Sequence, residues 1–196
     1  MDKNKIEIRT FSETPIADAK ARTISGYAVV WDVESRRLWD GEEFVEIIAR
    51  GAITEETIAR CDVKALYNHN SNQLLARSVN GVGTLTLKPD ERGLFFSFDA
   101  PDTNCGNDVL TLVRLGDLRG CSFAFEVDAE AVTYSRRADG TRLRTINRIA
   151  ELHDVSVVVN PAYLQTSVSA RSWEPESKQV SPIAAHEERK NFINNI

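Results

Sequence analysis

Short stretches of alternating apolar and polar residues constrain the fold of this chain more than any other feature. In the stretch 121–127, one parity is occupied by Cys121, Phe123, Phe125 and Val127. A β-strand points successive side chains to opposite faces, so this stretch predicts a strand with one buried, apolar face. Ser122 and Ala124 would then lie on the other face, where small residues leave room for a peptide backbone to reach Ser122.

Similar stretches recur along the chain and predict a mainly β fold with a few helices. The segment 104–115 is the clearest helix, because apolar residues repeat at helical spacing, Asn107 or Asp108 can cap it, and Gly116 follows it. A shorter helix is expected at 54–60, with Thr54 as its N-cap. At 196 residues the chain is long enough for one domain with a substantial core. Strands are expected at 22–31, 44–48, 63–68, 81–87, 94–99, 121–127 and 149–159, and a hairpin at 131–149.

Charge and composition narrow the classes of function. The net charge of -5 argues against a nucleic-acid partner, because phosphate binding requires clustered Lys and Arg. No apolar run approaches the ~20 residues of a membrane span, and residues 1–5 lack the apolar core of a signal peptide. We therefore expect an intracellular protein without a membrane partner. Neither metal-ligand spacing among the cysteines nor a phosphate-binding loop is found, so no cofactor is predicted.

Three segments each present one chemically useful side chain among strand-forming neighbours. His69 ends the stretch 65–69, Ser122 lies in the strand 121–127, and Asp154 lies in the last predicted strand. A serine hydroxyl is a weak nucleophile until a base removes its proton, a histidine is the usual base, and a carboxylate usually orients that histidine. The three residue types together indicate acyl-transfer chemistry.

Strand alternation predicts how these side chains are presented. His69 would share a strand face with Val63, Ala65 and Tyr67 and project from the strand end, whereas the alternative is a surface histidine in an Asn-rich turn. In the last strand, one face would carry Leu152, Asp154, Ser156 and Val158, and the other would carry Glu151 and His153. Cys121 is a rival nucleophile, but alternation places its thiol among the buried phenylalanines.

Six blocks of this sequence, taken in order, resemble the prohead proteases of tailed phages, which are serine proteases related in fold to the herpesvirus assemblins. The resemblance covers about residues 6–170 and implies a single-domain, closed or partly closed antiparallel β-barrel with a few helices. It implies a catalytic domain at 1–170, followed by a polar tail at 171–196 that is either removed by self-processing or a plain flexible terminus. The blocks are 26–32, 46–52, 65–70, 92–96, 120–125 and 152–162.

The resemblance also implies roles for individual residues. Matched to the family's motifs, Ser122 is the nucleophile, His69 the general base and Asp154 the carboxylate, where the family commonly has glutamate. Glu151 is the second choice for the carboxylate. His153 is the third, since the herpesvirus relatives use a second histidine. Arg119 is a candidate for stabilising the oxyanion, because it is cationic and close to Ser122 in sequence.

The implied function is that of a serine endopeptidase in phage capsid maturation. It would cleave scaffold segments from the major capsid protein, and itself, inside the immature capsid in the host cytoplasm, and it would act as a homo-oligomer. One alternative is a catalytically inactive scaffold or assembly chaperone on the same fold. Another is a small β-barrel binding module, in which His69, Ser122 and Asp154 would lie far apart.

Overall fold

The computed structural model describes residues 5–11, 14–18 and 21–159, so the predicted tail at 171–196 lies outside the described residues. Fourteen strands and two α-helices form within these ranges. The helices are α1 (Glu55–Arg60) and α2 (Asn104–Leu115), and a 3₁₀ turn spans Ala129–Ala131. The strands are β1 (Glu7–Phe11), β2 (Ile16–Ala17), β3 (Thr23–Val30), β4 (Leu38–Trp39), β5 (Glu43–Ile48), β6 (Asp62–Tyr67), β7 (Asn70–Val79), β8 (Val82–Gly83), β9 (Thr86–Pro89), β10 (Gly93–Asp99), β11 (Gly120–Val127), β12 (Val132–Arg136), β13 (Arg142–Ile146) and β14 (Ile149–Val158).

These strands form three sheets. The first contains six strands in the order β1-β11-β14-β6-β7-β8. The second contains four in the order β2-β3-β10-β9, and the third contains four in the order β12-β13-β5-β4. The predicted mainly β fold with few helices is therefore confirmed.

The expected antiparallel barrel is not confirmed. Each sheet has two edge strands, and none closes on itself by strand pairing within the described residues. Two pairings are parallel, β14 with β6 and β13 with β5, so the expectation of a purely antiparallel arrangement was wrong. The hydrophobic pattern of a strand shows which faces are buried but not the direction of its neighbour. Barrel closure and the likeness to the herpesvirus protease fold stay predictions.

The core lies between the six-stranded sheet and the β2-β3-β10-β9 sheet. The apolar face of β11 contributes Phe123 and Phe125, which are fully buried and stack with ring centroids 4.5 Å apart. Facing strands of the second sheet contribute Ile24 and Phe96, also buried. Burying the apolar parity of β11 in this way presents its other parity, which includes Ser122, on the far face of the sheet.

A threonine caps the N-terminus of each helix, and the predicted cap of α2 was wrong. Thr54 caps α1 and forms a reciprocal capping box with Thr57. α2 is capped by Thr103, not by Asn107 or Asp108, and ends at Gly116 in the left-handed conformation with φ 76°. Threonine ranks close to Asn and Asp as an N-cap, so several polar residues in a row leave the position of the first turn ambiguous.

Among the described residues, neither α-helix has the length and hydrophobicity that a membrane-spanning helix requires.

A β-bulge in β14 changes which residues of that strand share a face. Leu152 is opposite Phe125, whereas Asp154 is opposite the preceding residue, Ala124, so His153 is an extra residue in the ladder. Leu152 therefore lies with the core phenylalanines, and Asp154 lies on the face of Ser122. Glu151 is opposite Glu126, which alternates onto that same face. The predicted alternation was thus wrong for Leu152 and Glu151, because a bulge shifts the pattern by one residue.

Candidate active site

His69 lies in the tight turn between β6 and β7, not at the end of a regular strand. Asn68 and His69 are the two loop residues of this hairpin, and both have positive φ, 51° and 57°. A two-residue hairpin turn of type I′ requires positive φ at both positions, and asparagine tolerates this better than most residues. The predicted strand position of His69 was therefore wrong, because local turn geometry overrides alternation. The turn places the imidazole above the neighbouring strands of the sheet.

Ser122 lies on β11 between two other hydroxyl-bearing residues. It is directly opposite Thr10 of the edge strand β1 on one side and Ser156 of β14 on the other. Directly opposite residues of an antiparallel pair share a face, so the three hydroxyl groups lie in a row. Ser122 is fully buried in this arrangement, with 0% of its surface exposed.

The imidazole of His69 joins the serine and the carboxylate. Its Nε2 lies 2.7 Å from Oγ of Ser122, and its Nδ1 lies 2.7 Å from Oδ1 of Asp154. When Nδ1 carries its hydrogen and donates to the carboxylate, Nε2 is free to accept the serine proton. The side chains of His69 and Asp154 are largely shielded, with 18% and 11% exposed. The three residues singled out from the sequence are therefore brought together in hydrogen-bonding contact.

Ser156 follows Asp154 on the same face of β14 and contacts both Asp154 and His69. Its hydroxyl donates to Oδ1 of Asp154 at 2.7 Å and accepts from the backbone N–H of His69 at 3.3 Å. Its Oγ is also 3.3 Å from Nδ1 of His69. Sequence reasoning did not assign Ser156 a role, although its alternation with Asp154 was a usable signal. It links the carboxylate to the turn that carries the imidazole.

The other carboxylate and histidine candidates form a separate group. Nε2 of His153 lies 3.1 Å from Glu126, and its Nδ1 lies 3.9 Å from Glu151. The ligand atoms of these three residues are within 4.8 Å of one another, the one such group that could hold a metal ion among the described residues. His153 therefore lies between Glu126 of the neighbouring strand β11 and Glu151 of its own strand β14. Glu151 and His153 thus contact each other, whereas Asp154 contacts His69.

Two further residues raised by the sequence lie elsewhere. Cys121 is fully buried on the core face of β11. Its Sγ packs so closely against Gly26 that a Cβ added to this glycine would lie 3.1 Å from the sulfur. The exposed Arg119 donates from Nε to the backbone carbonyl of Gly116 at the end of α2. Neither contact brings these side chains to the imidazole of His69.

The edge strand β1 contributes contacts to Ser122 that sequence reasoning did not anticipate. The hydroxyl of Thr10 donates to Oγ of Ser122 at 3.0 Å, and Oγ of Ser122 donates to the backbone carbonyl of Arg9 at 2.9 Å. The sequence shows only weak alternation around Ile6 and Ile8, and a backbone contact leaves no trace in residue type. No sequence signal therefore indicated that β1 is part of the site.

Charged side chains hold β1 against the third sheet. Arg9 pairs with the buried Glu46 of β5 at 2.6 Å, and Arg144 of β13 pairs with both Glu7 and Glu46 at 2.7 and 2.8 Å. Burial opposes ionisation of Glu7, but the hydrogen bonds and charges of Arg144 and Arg9 outweigh it and hold the pKa of Glu7 below its usual value. The same pairing raises the pKa of Arg144 although burial opposes its charge. We call Glu7, Arg9, Glu46 and Arg144 the β1 clamp.

Comparison with known proteins identifies the family. The sequence profile described as caudovirus prohead serine protease matches residues 6–179. This chain belongs to that family. Among solved structures, the bacteriophage T4 capsid assembly protease aligns with 80% of this chain and 98% of its own, at 12% identity and a TM-score of 0.47. Comparison with curated proteins finds no significant match.

Membership of the prohead serine protease family shows the class of enzyme to which this chain belongs. The family is one of serine proteases that act on phage proheads, so this chain is a protease of capsid maturation. The resemblance found in the sequence blocks is thereby confirmed.

Proposed function

We propose that this prohead protease is a serine endopeptidase in which Ser122 is the nucleophile, His69 the general base and Asp154 the carboxylate that orients His69. The observation that supports this best is the imidazole of His69, which lies 2.7 Å from both Ser122 and Asp154. Its proposed substrates are scaffold segments of the major capsid protein and further copies of itself, inside the immature capsid in the host cytoplasm. We also propose that residues 1–170 are the catalytic domain, that the tail at 171–196 is removed by self-processing, and that the protease acts as a homo-oligomer.

The proposed reaction proceeds through an acyl-enzyme. Oγ of Ser122 forms a bond to the carbonyl carbon of the substrate while Nε2 of His69 takes the hydroxyl proton. The carbon–nitrogen bond then breaks, and His69 passes that proton to the leaving amine. Water attacks the ester with His69 again as base, which releases the new carboxyl terminus and restores the serine. The carboxylate of Asp154 accepts the hydrogen bond of Nδ1–H and so holds the imidazole in the tautomer whose Nε2 can take the proton.

The complete burial of Ser122 favours a second candidate, an inactive assembly scaffold on the same fold. The binding-module alternative required His69, Ser122 and Asp154 to lie far apart, and the two 2.7 Å contacts contradict it.

The protease and scaffold hypotheses predict different lengths for this chain and for the major capsid protein after co-expression. The intact masses of the wild type and of Ser122→Ala are measured after each is expressed with the cognate major capsid protein. We expect the wild type to shorten the capsid protein or itself and Ser122→Ala to do neither, since the nucleophile is lost. Cys121→Ala is the matched control, because it removes the rival nucleophile next along the chain and should leave cleavage intact. Uncleaved chains from a folded wild type would favour the scaffold.

The same assay tests which carboxylate orients His69. Asp154→Asn should lower the cleavage rate by about 10⁴-fold, since an amide no longer holds the imidazole in the correct tautomer. Glu151→Gln removes a charge from the same strand and should retain activity. If Glu151→Gln is the impaired variant and Asp154→Asn cleaves normally, the assignment of the third residue is wrong.

A further inference from the structure

β1 occupies the space through which a substrate would have to approach Ser122. Acyl transfer requires the serine oxygen and the substrate carbonyl carbon to come within about 3–3.5 Å. Ser122 has no exposed surface, and β1 lies along β11 with Thr10 directly opposite the serine. A peptide bond can therefore reach Oγ only after a neighbouring group has moved, and two of the groups that touch this oxygen, Thr10 and the carbonyl of Arg9, belong to the edge strand β1.

β1 also engages the groups of Ser122 that catalysis needs. A serine hydroxyl has one hydrogen, and two acceptors lie in range of it, Nε2 of His69 at 2.7 Å and the carbonyl oxygen of Arg9 at 2.9 Å. Thr10 donates to Oγ of Ser122 at 3.0 Å and thus occupies a lone pair that nucleophilic attack would use. The edge strand competes with His69 for the proton and with a substrate for the oxygen.

The attachment of β1 is suited to release. Toward the third sheet it is held by the charges of the β1 clamp, in which Arg9 and Arg144 share the buried carboxylate of Glu46. A cavity of about 230 Å³ lies beside this attachment, lined by Arg9, Thr10 and Phe11 of β1 and by Glu46 and Ile48 of β5. β1 is thus held by backbone pairing with β11, by these ion pairs, and by Phe11, whose ring stacks on Phe123 with centroids 6.1 Å apart.

We propose that β1 occupies the binding site of the substrate, which is an extended peptide segment that pairs with β11 after displacing β1. An exposed strand edge accepts an extended peptide by continuing its backbone hydrogen bonds, and the carbonyl oxygen of Arg9 already lies 2.9 Å from Oγ of Ser122. The protease is accordingly closed until a substrate segment competes with β1. This inference rests on the proposed role of Ser122 as nucleophile.

The test compares how fast a small fluorophosphonate labels Ser122, because this probe reacts with an activated serine and requires no peptide recognition. Ile8→Pro fixes the backbone φ of β1 at a side chain that is 49% exposed, so it should loosen the strand without opening the core. We expect it to be labelled about 10-fold faster than the wild type, or more, because the φ that proline imposes departs from that of an antiparallel strand and disturbs the pairing of β1 with β11. The matched control is Ile16→Pro, which changes an exposed isoleucine of another edge strand, β2, and should be labelled at the wild-type rate.

A second measurement needs no variant. The phosphonyl group attached to Oγ would take the place of the Arg9 carbonyl and Thr10, so hydrogen exchange at residues 7–11 should accelerate in labelled wild type. Equal labelling rates in the wild type and Ile8→Pro, or unchanged exchange of residues 7–11 after labelling, would overturn the inference while leaving the nucleophile assignment in place. If Ser122 is labelled in none of the proteins, the proposed function itself fails, and the inference fails with it.

Discussion

At the scale of single residues, Ser156 is the side chain whose role goes furthest beyond the sequence prediction. It is almost fully buried, and its one hydroxyl contacts both the carboxylate of Asp154 and the backbone N–H of His69. A hydrogen bond to a charged group contributes about 1.5–3 kcal/mol when it is made in a buried site. We therefore propose that Ser156 is a positioning residue, because it touches both the carboxylate of Asp154 and the backbone of His69.

Ser156→Ala is expected to lower kcat by about 10- to 100-fold, as the loss of one charge-assisted hydrogen bond implies. KM should change little, since no substrate group contacts this hydroxyl in the proposed mechanism. Ser156→Thr keeps a hydroxyl at the position and should recover part of the rate. Steady-state kinetics on a capsid-derived peptide measure both parameters.

Ser78→Ala is the matched control for Ser156→Ala. Ser78 is a serine of the same six-stranded sheet that is equally buried, with 1% of its surface exposed. Its replacement should leave kcat unchanged. If both variants lose activity together with stability against urea, the role of Ser156 is only structural.

The carboxylate prediction shows what residue types alone can establish. Histidine, serine and aspartate were selected because their chemistry is complementary, and that selection required no knowledge of neighbouring strands. Choosing Asp154 over Glu151 rested on the family resemblance. The bulge at His153 made the alternation argument wrong for Glu151, whereas Asp154 lies 2.7 Å from His69, and its role stays a prediction.

At the scale of secondary-structure elements, the turn between β6 and β7 determines where the imidazole lies. Asn68 adopts a positive φ of 51° and is tied to β14 and the residue after it, donating to the carbonyl of Val157 and accepting from the N–H of Val159. A β-branched residue in the left-handed conformation is strained by about 1–2 kcal/mol. Asn68→Val should therefore destabilise the fold by about 2 kcal/mol and lower the cleavage rate, because the turn that carries His69 is distorted.

Asn68→Gly separates the two effects of that substitution. Glycine adopts positive φ at no steric cost, so this variant should preserve the turn while losing the side-chain hydrogen bond to Val159. Urea unfolding and cleavage rates measured in parallel should place it between the wild type and Asn68→Val. A glycine variant as impaired as the valine variant would show that the side-chain contact, and not the backbone conformation, positions His69.

Most elements could be predicted because their signals are local. The apolar parity of β11, the helical repeat of α2 and the capping threonine of α1 each depend on residues within one element. The signals that failed are those that depend on a partner. The bulge in β14 and the two parallel pairings arise from neighbouring strands, and alternation within one strand carries no information about them.

At the scale of the whole molecule, β1 connects two sheets and closes the candidate active site. It pairs with β11 at the edge of the first sheet, and its charged side chains reach the third sheet through Glu46 and Arg144. Its sequence signal was weak because Glu7 and Arg9 pair with residues far along the chain, Glu46 and Arg144. The position of this strand follows from the assembly of the sheets and not from its own pattern.

The β1 clamp predicts how the protein responds to acid. The folded pKa of Glu7 lies below its usual value of 4.5, because Arg144 and Arg9 favour the carboxylate more than burial opposes it. Ionised Glu7 therefore stabilises the fold above pH 4.5, and this contribution is lost as pH falls below 4.5 and through the lowered pKa. Glu7→Gln should cost about 2 kcal/mol at pH 7, where a charge-assisted bond to Arg144 is lost, and much less at low pH. Free energies of urea unfolding from pH 3 to pH 7 measure this difference, and hydrogen-exchange protection at residues 7–11 reports on β1 itself.

Glu43→Gln is the control variant, because it removes a half-exposed ion-pair partner of Arg37. A wild type and a Glu7→Gln variant that lose stability in parallel across this range would show that the clamp does not hold β1 through the Glu7 charge.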